Sequence, residues 1–435
     1  MLLVRQMVQS FISYNIIFLL FYLLVLIANK KYRLLLPSTI HTFTWSITSV
    51  FMFLELEGIM GDNIIPSQYS IVAEYIFYMI IASIVGFQLA HLFKRSSFSK
   101  NDGIPVDIID QILKKFRFIL YICLIVGILQ VAFLVSLGGF ESIGDYRLLA
   151  VTAKRTGYGA IAQQLSGHMA ILGGFYLSLL GYKHSKLGIN IKEFIKIATC
   201  VAATNMAIAG RVWILTTTLP YIIAYFYGLK TSRQSVRRLS YKQDFKKMLT
   251  IGVIFFTVFS SFGLIRNEET AEGDNKVKVF FDKFLYYTDG PKMANMVMKQ
   301  YPPDTYELEY GQAEFLSKWI PSTMTNKFTS SIEDSPSLLA TVKSTIPPLY
   351  YDWGYTGGII MWGIYAFILE FICLSLLKRN TILSLLLFVQ FTKLLFESPI
   401  GNIFVYAIPA FQWLIIIYLI KNYIFKGIPN INKYI

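Results

Sequence analysis

The stretch YTGGIIMWGIYAFILEFICLSLL at residues 355–377 decides the class of fold. It is almost entirely apolar, and it is long enough to cross a bilayer, whose hydrocarbon core of about 30 Å takes roughly 20 helical residues. With further runs of the same kind, the chain holds about eleven candidate membrane helices. The other runs lie near residues 11–28, 34–54, 69–93, 117–137, 165–182, 192–209, 211–229, 248–265, 381–397 and 402–420.

The composition indicates that lipid is the main solvent of this chain. Hydrophobic residues make up 55% of it and charged residues 15%, with a mean hydropathy of +0.52. Lipid offers no partners for backbone N–H and C=O groups, so each run must be helical or packed against protein. Run length and the lack of a two-residue alternation exclude a transmembrane barrel.

The sequence therefore predicts an all-α polytopic integral membrane protein with one long extracytoplasmic loop. We expect about eight membrane helices in residues 1–265 and about three in residues 355–435, which end in a cytoplasmic tail. Residues 266–354 form the large loop between them and are expected to contain short helices.

The distribution of Lys and Arg predicts the orientation in the membrane, because short cytoplasmic loops are enriched in these residues. Short connections on the opposite side are poor in them: residues 57–68 and 398–401 contain none. The N-terminus is accordingly expected outside and the C-terminus inside. The basic loops lie at residues 29–33, 94–117, 183–192, 230–247, 378–379 and 421–433.

This topology and contact with anionic lipid explain most of the net charge of +14. No zinc-finger, P-loop or dinucleotide motif supports a nucleic-acid or nucleotide partner. Cys123, Cys200 and Cys373 all lie in apolar runs, and the four histidines are scattered without the spacing of metal ligands. We therefore expect no metal and no cofactor. His168 is the one histidine near the outer end of a predicted helix.

Cations on the outer face are the first candidates for binding an anion. In the loop 138–164, three cations alternate with tyrosines and glycines, a combination suited to a phosphate and a sugar face. The alternative is a solvated re-entrant loop whose cations contact lipid headgroups. Arg211 lies in a tight turn between two apolar runs, where it either binds an anion or snorkels to the interface. The outer-face candidates are Arg147, Arg155, Arg211 and Arg266.

The long loop has its own local signals. An aromatic segment, FFDKFLYY, occupies residues 280–287. The sequence DGP at residues 289–291 predicts a turn, and KMANMVM at residues 292–298 has helical character.

The loop closes with IPPLYYDWGYTGG at residues 346–358, where a family resemblance arises. A proline pair, aromatics, an acid and then Gly-x-x-Gly entering a membrane helix resemble the segment after the large periplasmic loop of Wzy-type polymerases. These enzymes join oligosaccharide repeat units in O-antigen and capsule synthesis. The turn at Gly210-Arg211 and the loop GGFESIGDYR at residues 138–147 are similar to other parts of that family's pattern.

The resemblance implies an inverting glycosyl transfer at the periplasmic face of the bacterial inner membrane, without metal or nucleotide. Its substrates are oligosaccharides linked to undecaprenyl pyrophosphate, and its further partners are the bilayer, a chain-length regulator and a flippase. The implied roles require cations on the departing pyrophosphate and a base for the acceptor hydroxyl. The four arginines suit the first role. Asp352, Glu397 and His168 are the base candidates, with Tyr351 and Trp353 as aromatic contacts for the glycan.

Other interpretations of these residues and of the chain remain open. Glu397 has Lys393 one turn before it, and mutual neutralisation of the two is the alternative to a catalytic role. Asp352 has the position of a helix cap. A lipid-linked oligosaccharide flippase or other transporter is an alternative function. An O-antigen ligase is another, although the long loop lacks the histidine that we associate with those enzymes.

Overall fold

The structure of the protein is a computed structural model, which describes most of the chain. The ranges described are 2–28, 35–59, 66–94, 103–136, 158–205, 212–230, 246–247, 250, 286–300, 344–399 and 403–434. Within them the fold is helical and contains no strand, which confirms the predicted all-α class.

The helices are numbered here in chain order. They are α1 Leu2–Ala28, α2 Pro37–Leu56, α3 Val72–Phe93, α4 Val106–Lys115, α5 Arg117–Ser136, α6 Tyr158–Leu187, α7 Ile191–Ala202, α8 Val212–Lys230, α9 Tyr286–Gln300, α10 Ile346–Arg379, α11 Ile382–Glu397, α12 Ile403–Leu419 and α13 Lys421–Ile424. Short 3-10 turns occupy Pro66–Tyr69, Ala203–Asn205 and Ile431–Lys433.

Within the described ranges, three helical stretches are long and apolar enough to cross a membrane: Val4–Leu26, Ser67–Phe93 and Asp352–Arg379. Shorter apolar stretches follow four of the other eight predicted runs. They are Arg117–Ala132, Thr218–Leu229, Ile382–Phe396 and Pro409–Leu419. The predicted run 248–265 lies outside the described residues, apart from residue 250, and the total of about eleven crossings stays a prediction.

The chain divides into two compact units. Unit 1 consists of Met1–Ser97, Gly273–Ser375 and Phe391–Ile408, and its core joins α1, α2, α3 and α10. Trp45, Tyr75 and Trp362 are fully buried there. The backbones of α3 and α10 approach so closely that a Cβ at Gly86 would collide with the carbonyl oxygen of Gly363, as is common where small residues pack between membrane helices.

Unit 2 consists of Phe98–Glu272, Leu376–Gln390 and Pro409–Ile435. Its helix α7 begins at a capping residue, Asn190, whose side chain accepts a hydrogen bond from the N–H of Glu193 at 3.3 Å. Helix α4 is amphipathic: Ile108, Ile109, Ile112 and Leu113 are buried and the polar residues face outward. The sequence did not single out this helix, because it lies inside one of the basic loops.

Candidate functional site

Helix α10 is broken at its beginning, in the segment that carries the family resemblance. Gly354 has φ 68° and ψ −170°, values that only glycine adopts readily. The break separates a short helix, which holds Asp352 and Trp353, from the long apolar helix that follows. Backbone groups freed at such a break need partners, so breaks at membrane depth occur where the chain is buried in protein or lines a cavity.

Asp352 lies two residues before the break and is buried, with 6% of its surface exposed. Carboxylates are rarely buried without a specific environment, and such environments are common at functional sites. The neighbouring Trp353 is 38% exposed, so its ring is open to a ligand. The backbone of Tyr351 continues the short helix, and its side chain lies outside the described part of the structure.

Three tyrosines pack around the break. The ring of Tyr75 on α3 lies 5.3 Å from that of Tyr355 and 6.2 Å from that of Tyr350, both in edge-on geometry. Gly358 leaves room for the Tyr75 hydroxyl, which a Cβ at that position would strike. This close approach is the packing role that glycines often have in membrane helices.

Two hydroxyl groups in this tyrosine cluster have no hydrogen-bond partner within the described ranges. They belong to Tyr75, which is fully buried, and to Tyr355. A buried hydroxyl without a partner costs about 1–3 kcal/mol, so a site with two of them is suited to a ligand that carries many hydroxyl groups. Glu74, in the first turn of α3, is close enough for its charge to act on the Tyr355 hydroxyl. The sequence analysis did not consider Glu74.

Helix α9, from the long loop, is anchored to the same end of unit 1. The Nζ of Lys292 lies 2.6 Å from an oxygen of Glu55, a carboxylate that is 1% exposed at the end of α2. The hydroxyl of Tyr69 donates a hydrogen bond to the same carboxylate. Lys292 also lies 3.3 Å from Asp289, but burial raises the pKa of the Asp289 carboxyl above its usual range in spite of this cation. Glu55 is therefore the stronger partner of Lys292.

Asn295 ties α9 to the beginning of α3. Its Oδ1 accepts hydrogen bonds from the backbone N–H groups of Ile71 at 2.9 Å and Val72 at 3.1 Å. These are donors that a helix leaves unsatisfied at its N-terminus. The Nδ2 of Asn295 donates a hydrogen bond to the carbonyl oxygen of Ser67 at 3.0 Å. The same oxygen accepts a hydrogen bond from the Nζ of Lys299 at 2.5 Å.

The predicted helical character of residues 292–298 is confirmed, but the turn predicted at residues 289–291 is wrong. Helix α9 runs through this sequence with Pro291 inside it. The physical reason is tertiary contact: Lys292 and Asn295 are held on the helix face by unit 1, and Gly290 packs directly against the carbonyl of Pro399. Local turn propensity is weaker than this set of contacts.

Loss of the Glu55 carboxylate is expected to release α9. Glu55→Gln leaves the Lys292 ammonium with only Asp289, at 3.3 Å, and breaking one side of a buried pair costs about 3–5 kcal/mol. Amide hydrogen exchange in residues 286–300 should therefore accelerate about 10²–10⁴-fold. Two control variants should leave the exchange unchanged: Glu57→Gln and Asp289→Asn. Glu57 is exposed, and in the described contacts its side chain is bonded only to Gln9. Unaltered exchange in Glu55→Gln would contradict the anchoring role.

The other sequence candidates do not meet at this site within the described residues. His168 belongs to unit 2, where its Nδ1 accepts a hydrogen bond from the indole N–H of Trp413 at 3.0 Å. That bond occupies the lone pair with which a neutral imidazole would take a proton. Helix α11 ends at Glu397, whose side chain is outside the described part. Arg147, Arg155, Arg211 and Arg266 all lie outside the described ranges.

A second buried carboxylate, Glu370, was missed by the sequence analysis. It is fully buried on α10 and accepts hydrogen bonds from the backbone N–H of Ser38 at 3.0 Å and its hydroxyl at 2.8 Å. The Nε2 of His91 lies 2.8 Å from it, a contact by distance rather than an aligned hydrogen bond. The signal was present in the sequence, since a lone acid inside an apolar run needs a partner.

Comparison of the chain with protein-family models, with curated proteins and with solved structures finds no match.

Proposed function

We propose that this protein is a membrane glycosyltransferase that polymerises oligosaccharide repeat units linked to undecaprenyl pyrophosphate, for O-antigen or capsule synthesis. It crosses the bacterial inner membrane about eleven times, with the N-terminus outside and the C-terminus inside. The reaction takes place on the periplasmic face, at the break in α10.

Contacts within unit 1 support this two-sided arrangement. On one side of unit 1, Glu55, Asn295 and Pro399 join four elements. These are the last turn of α2, the first turn of α3, the helix α9 and the turn after α11. The other end joins the start of α2, the end of α3 and the later part of α10 through Glu370. Helices that cross the membrane in alternating directions must bring these helix ends together on the same two sides. The basic loops at residues 29–33, 94–117 and 378–379 all adjoin the side of Glu370.

The proposed reaction is an inverting displacement. A hydroxyl oxygen of the acceptor repeat unit attacks the anomeric carbon of the donor glycan and forms the new glycosidic bond. The bond from that carbon to the pyrophosphate oxygen breaks, and undecaprenyl pyrophosphate departs with the bonding electron pair. The hydroxyl proton passes to a carboxylate of the protein.

The observation that carries the proposal is the combination at the α10 break of a buried carboxylate with buried, unsatisfied hydroxyl groups. Asp352 is our choice for the base. Tyr75 and Tyr355 are suited to hydrogen bonds with sugar hydroxyls, and the exposed Trp353 to stacking on a sugar ring. The arginines of the outer loops supply positive charge for the departing pyrophosphate, on which negative charge develops in the transition state.

A lipid-linked oligosaccharide transporter is the second candidate, and two observations favour it. Transporters commonly have broken helices at their substrate sites and ionisable residues inside the membrane. The break at Gly354 and the buried Glu370 with His91 fit that description.

Deletion of the gene distinguishes these functions in the native cell. A polymerase mutant should display glycans of a single repeat unit at the cell surface, and the full chain supplied on a plasmid should restore the ladder of lengths. A transporter mutant would display no glycan and would accumulate lipid-linked units on the cytoplasmic side. Polymer that remains on the lipid carrier would indicate a ligase. Either of the last two results would overturn the polymerase proposal.

A further inference from the structure

Unit 2 contains an apolar cleft that the proposed reaction does not use. It is a shallow cleft whose volume of about 360 Å³ is mostly open mouth, and it is lined by eleven residues from α4, α5, α6, α11 and α12 and from the two segments that follow α4 and α13. Leu172, Leu179 and Leu386 form part of its wall, and the wall presents no polar surface. Water would find no hydrogen-bond partners there, so an apolar occupant is favoured.

Three cations are direct sequence neighbours of residues that line this cleft. Phe116 and Phe425, whose rings lie 6.2 Å apart, both line it. In the sequence, Lys115 and Arg117 stand on either side of Phe116, and Lys426 follows Phe425. The ammonium of Lys115 donates a hydrogen bond to the carbonyl of Lys426, which brings the two basic segments together.

Nearby carboxylates are already engaged with another cation. Asp110 and Glu193 lie 2.9 Å and 3.2 Å from the Nζ of Lys183. Within the described part of the chain, no carboxylate forms an ion pair with Lys115, Arg117 or Lys426. The charge of Arg117 nevertheless acts on the hydroxyl of Tyr176, another residue of the cleft wall. Three cations next to the cleft are therefore without an ion-pair partner in the described part of the chain.

We propose that this cleft binds one anionic phospholipid of the surrounding leaflet. Part of an acyl chain fills the apolar space, and Lys115, Arg117 and Lys426 bind the phosphate of the headgroup. An anionic lipid is favoured over a zwitterionic one because three uncompensated cations attract net negative charge. The site depends on the helices lying in a bilayer and is independent of the polymerase reaction, so either proposal can fail alone.

Native mass spectrometry of the full chain tests the headgroup specificity. The detergent-solubilised protein is given equal amounts of phosphatidylglycerol and phosphatidylcholine with identical acyl chains, and the ratio of the two bound lipids is measured. Wild type should retain phosphatidylglycerol preferentially. Lys115→Gln and Lys426→Gln should each lower the ratio about fivefold. Lys192→Gln, the same charge change at an exposed position on α7, should leave it unaltered.

A change in the cleft tests the acyl-chain site separately. Leu386→Phe places a larger side chain in the empty space and should reduce the retention of both lipids. Equal binding of the two lipids by wild type would overturn the proposal, as would unaltered ratios in both lysine variants or full retention in Leu386→Phe. Displacement of phosphatidylglycerol by an equal amount of an isoprenoid pyrophosphate would assign the cleft to substrate and overturn it as well.

Discussion

Replacement of Asp352 by Asn is expected to lower the rate of glycan polymerisation by about 10²–10⁴-fold, the usual contribution of a general base. The amide preserves the shape of the side chain but cannot take the proton of the acceptor hydroxyl. Asp352 is buried beside the α10 break, and Asn keeps the size of the side chain and one accepting oxygen there. The variant is expected in the membrane at wild-type level, with glycans of a single repeat unit.

Two further variants give this prediction its controls. Asp107→Asn changes an exposed acid in the first turn of α4 and should leave the ladder of chain lengths intact. Glu74→Gln tests the other carboxylate near the tyrosine cluster. A full ladder from Asp352→Asn, together with single units from Glu74→Gln, would assign the base to Glu74 instead.

The second large effect is expected at the arginines of the outer loops. A guanidinium binds two oxygens of a pyrophosphate at once, whereas an ammonium acts as a point charge. Arg147→Lys and Arg211→Lys should therefore each cost about 3 kcal/mol of transition-state stabilisation, or about a hundredfold in rate. Gel electrophoresis of surface glycans should show single repeat units, with the protein inserted at normal levels.

Lys276→Ala provides the control for the arginine variants. Lys276 belongs to an acidic part of the long loop to which no substrate role is assigned, and its removal should have no effect on chain length. Wild-type ladders of glycan lengths from both arginine variants would contradict the proposed contact of Arg147 and Arg211 with the pyrophosphate.

The sequence predicted the helical architecture well, because burial in lipid imposes long apolar runs. The run at residues 117–137, for example, matches α5, Arg117–Ser136. The run at residues 355–377 lies within α10, Ile346–Arg379. The break at Gly354 was within reach as well, since the glycine follows a proline pair and precedes an apolar run. What the sequence lacked was a signal for the short helix that precedes this glycine in α10.

Contacts between distant segments were beyond sequence reasoning. Asn295 satisfies backbone donors at the start of α3, and Lys292 pairs with Glu55. Nothing local to either segment indicates these partners, and they outweigh the turn propensity at residues 289–291. The tyrosine cluster was hidden for the same reason, because Tyr75 and Tyr355 belong to different predicted helices.

Glu370 was missed for a different reason. The sequence interpretation looked for polar residues outside the membrane and gave the single acid within the run 355–377 no role. The structure shows a fully buried carboxylate there with three contacts from Ser38 and His91. Its hydrogen bonds satisfy a donor at the beginning of α2, which is a structural role that a sequence pattern does not distinguish from a functional one.

The central claim is best tested with the purified full chain in liposomes. A cysteine introduced at Asp274 reports, through a membrane-impermeant thiol reagent, which protein molecules expose the long loop to the outside. Lipid-linked single repeat units are then presented with chelator and without nucleotide. We predict that a ladder of glycan lengths forms, in proportion to the fraction of protein labelled at position 274. Repeat units that remain single, or polymer that forms in proportion to the unlabelled fraction, would contradict the account.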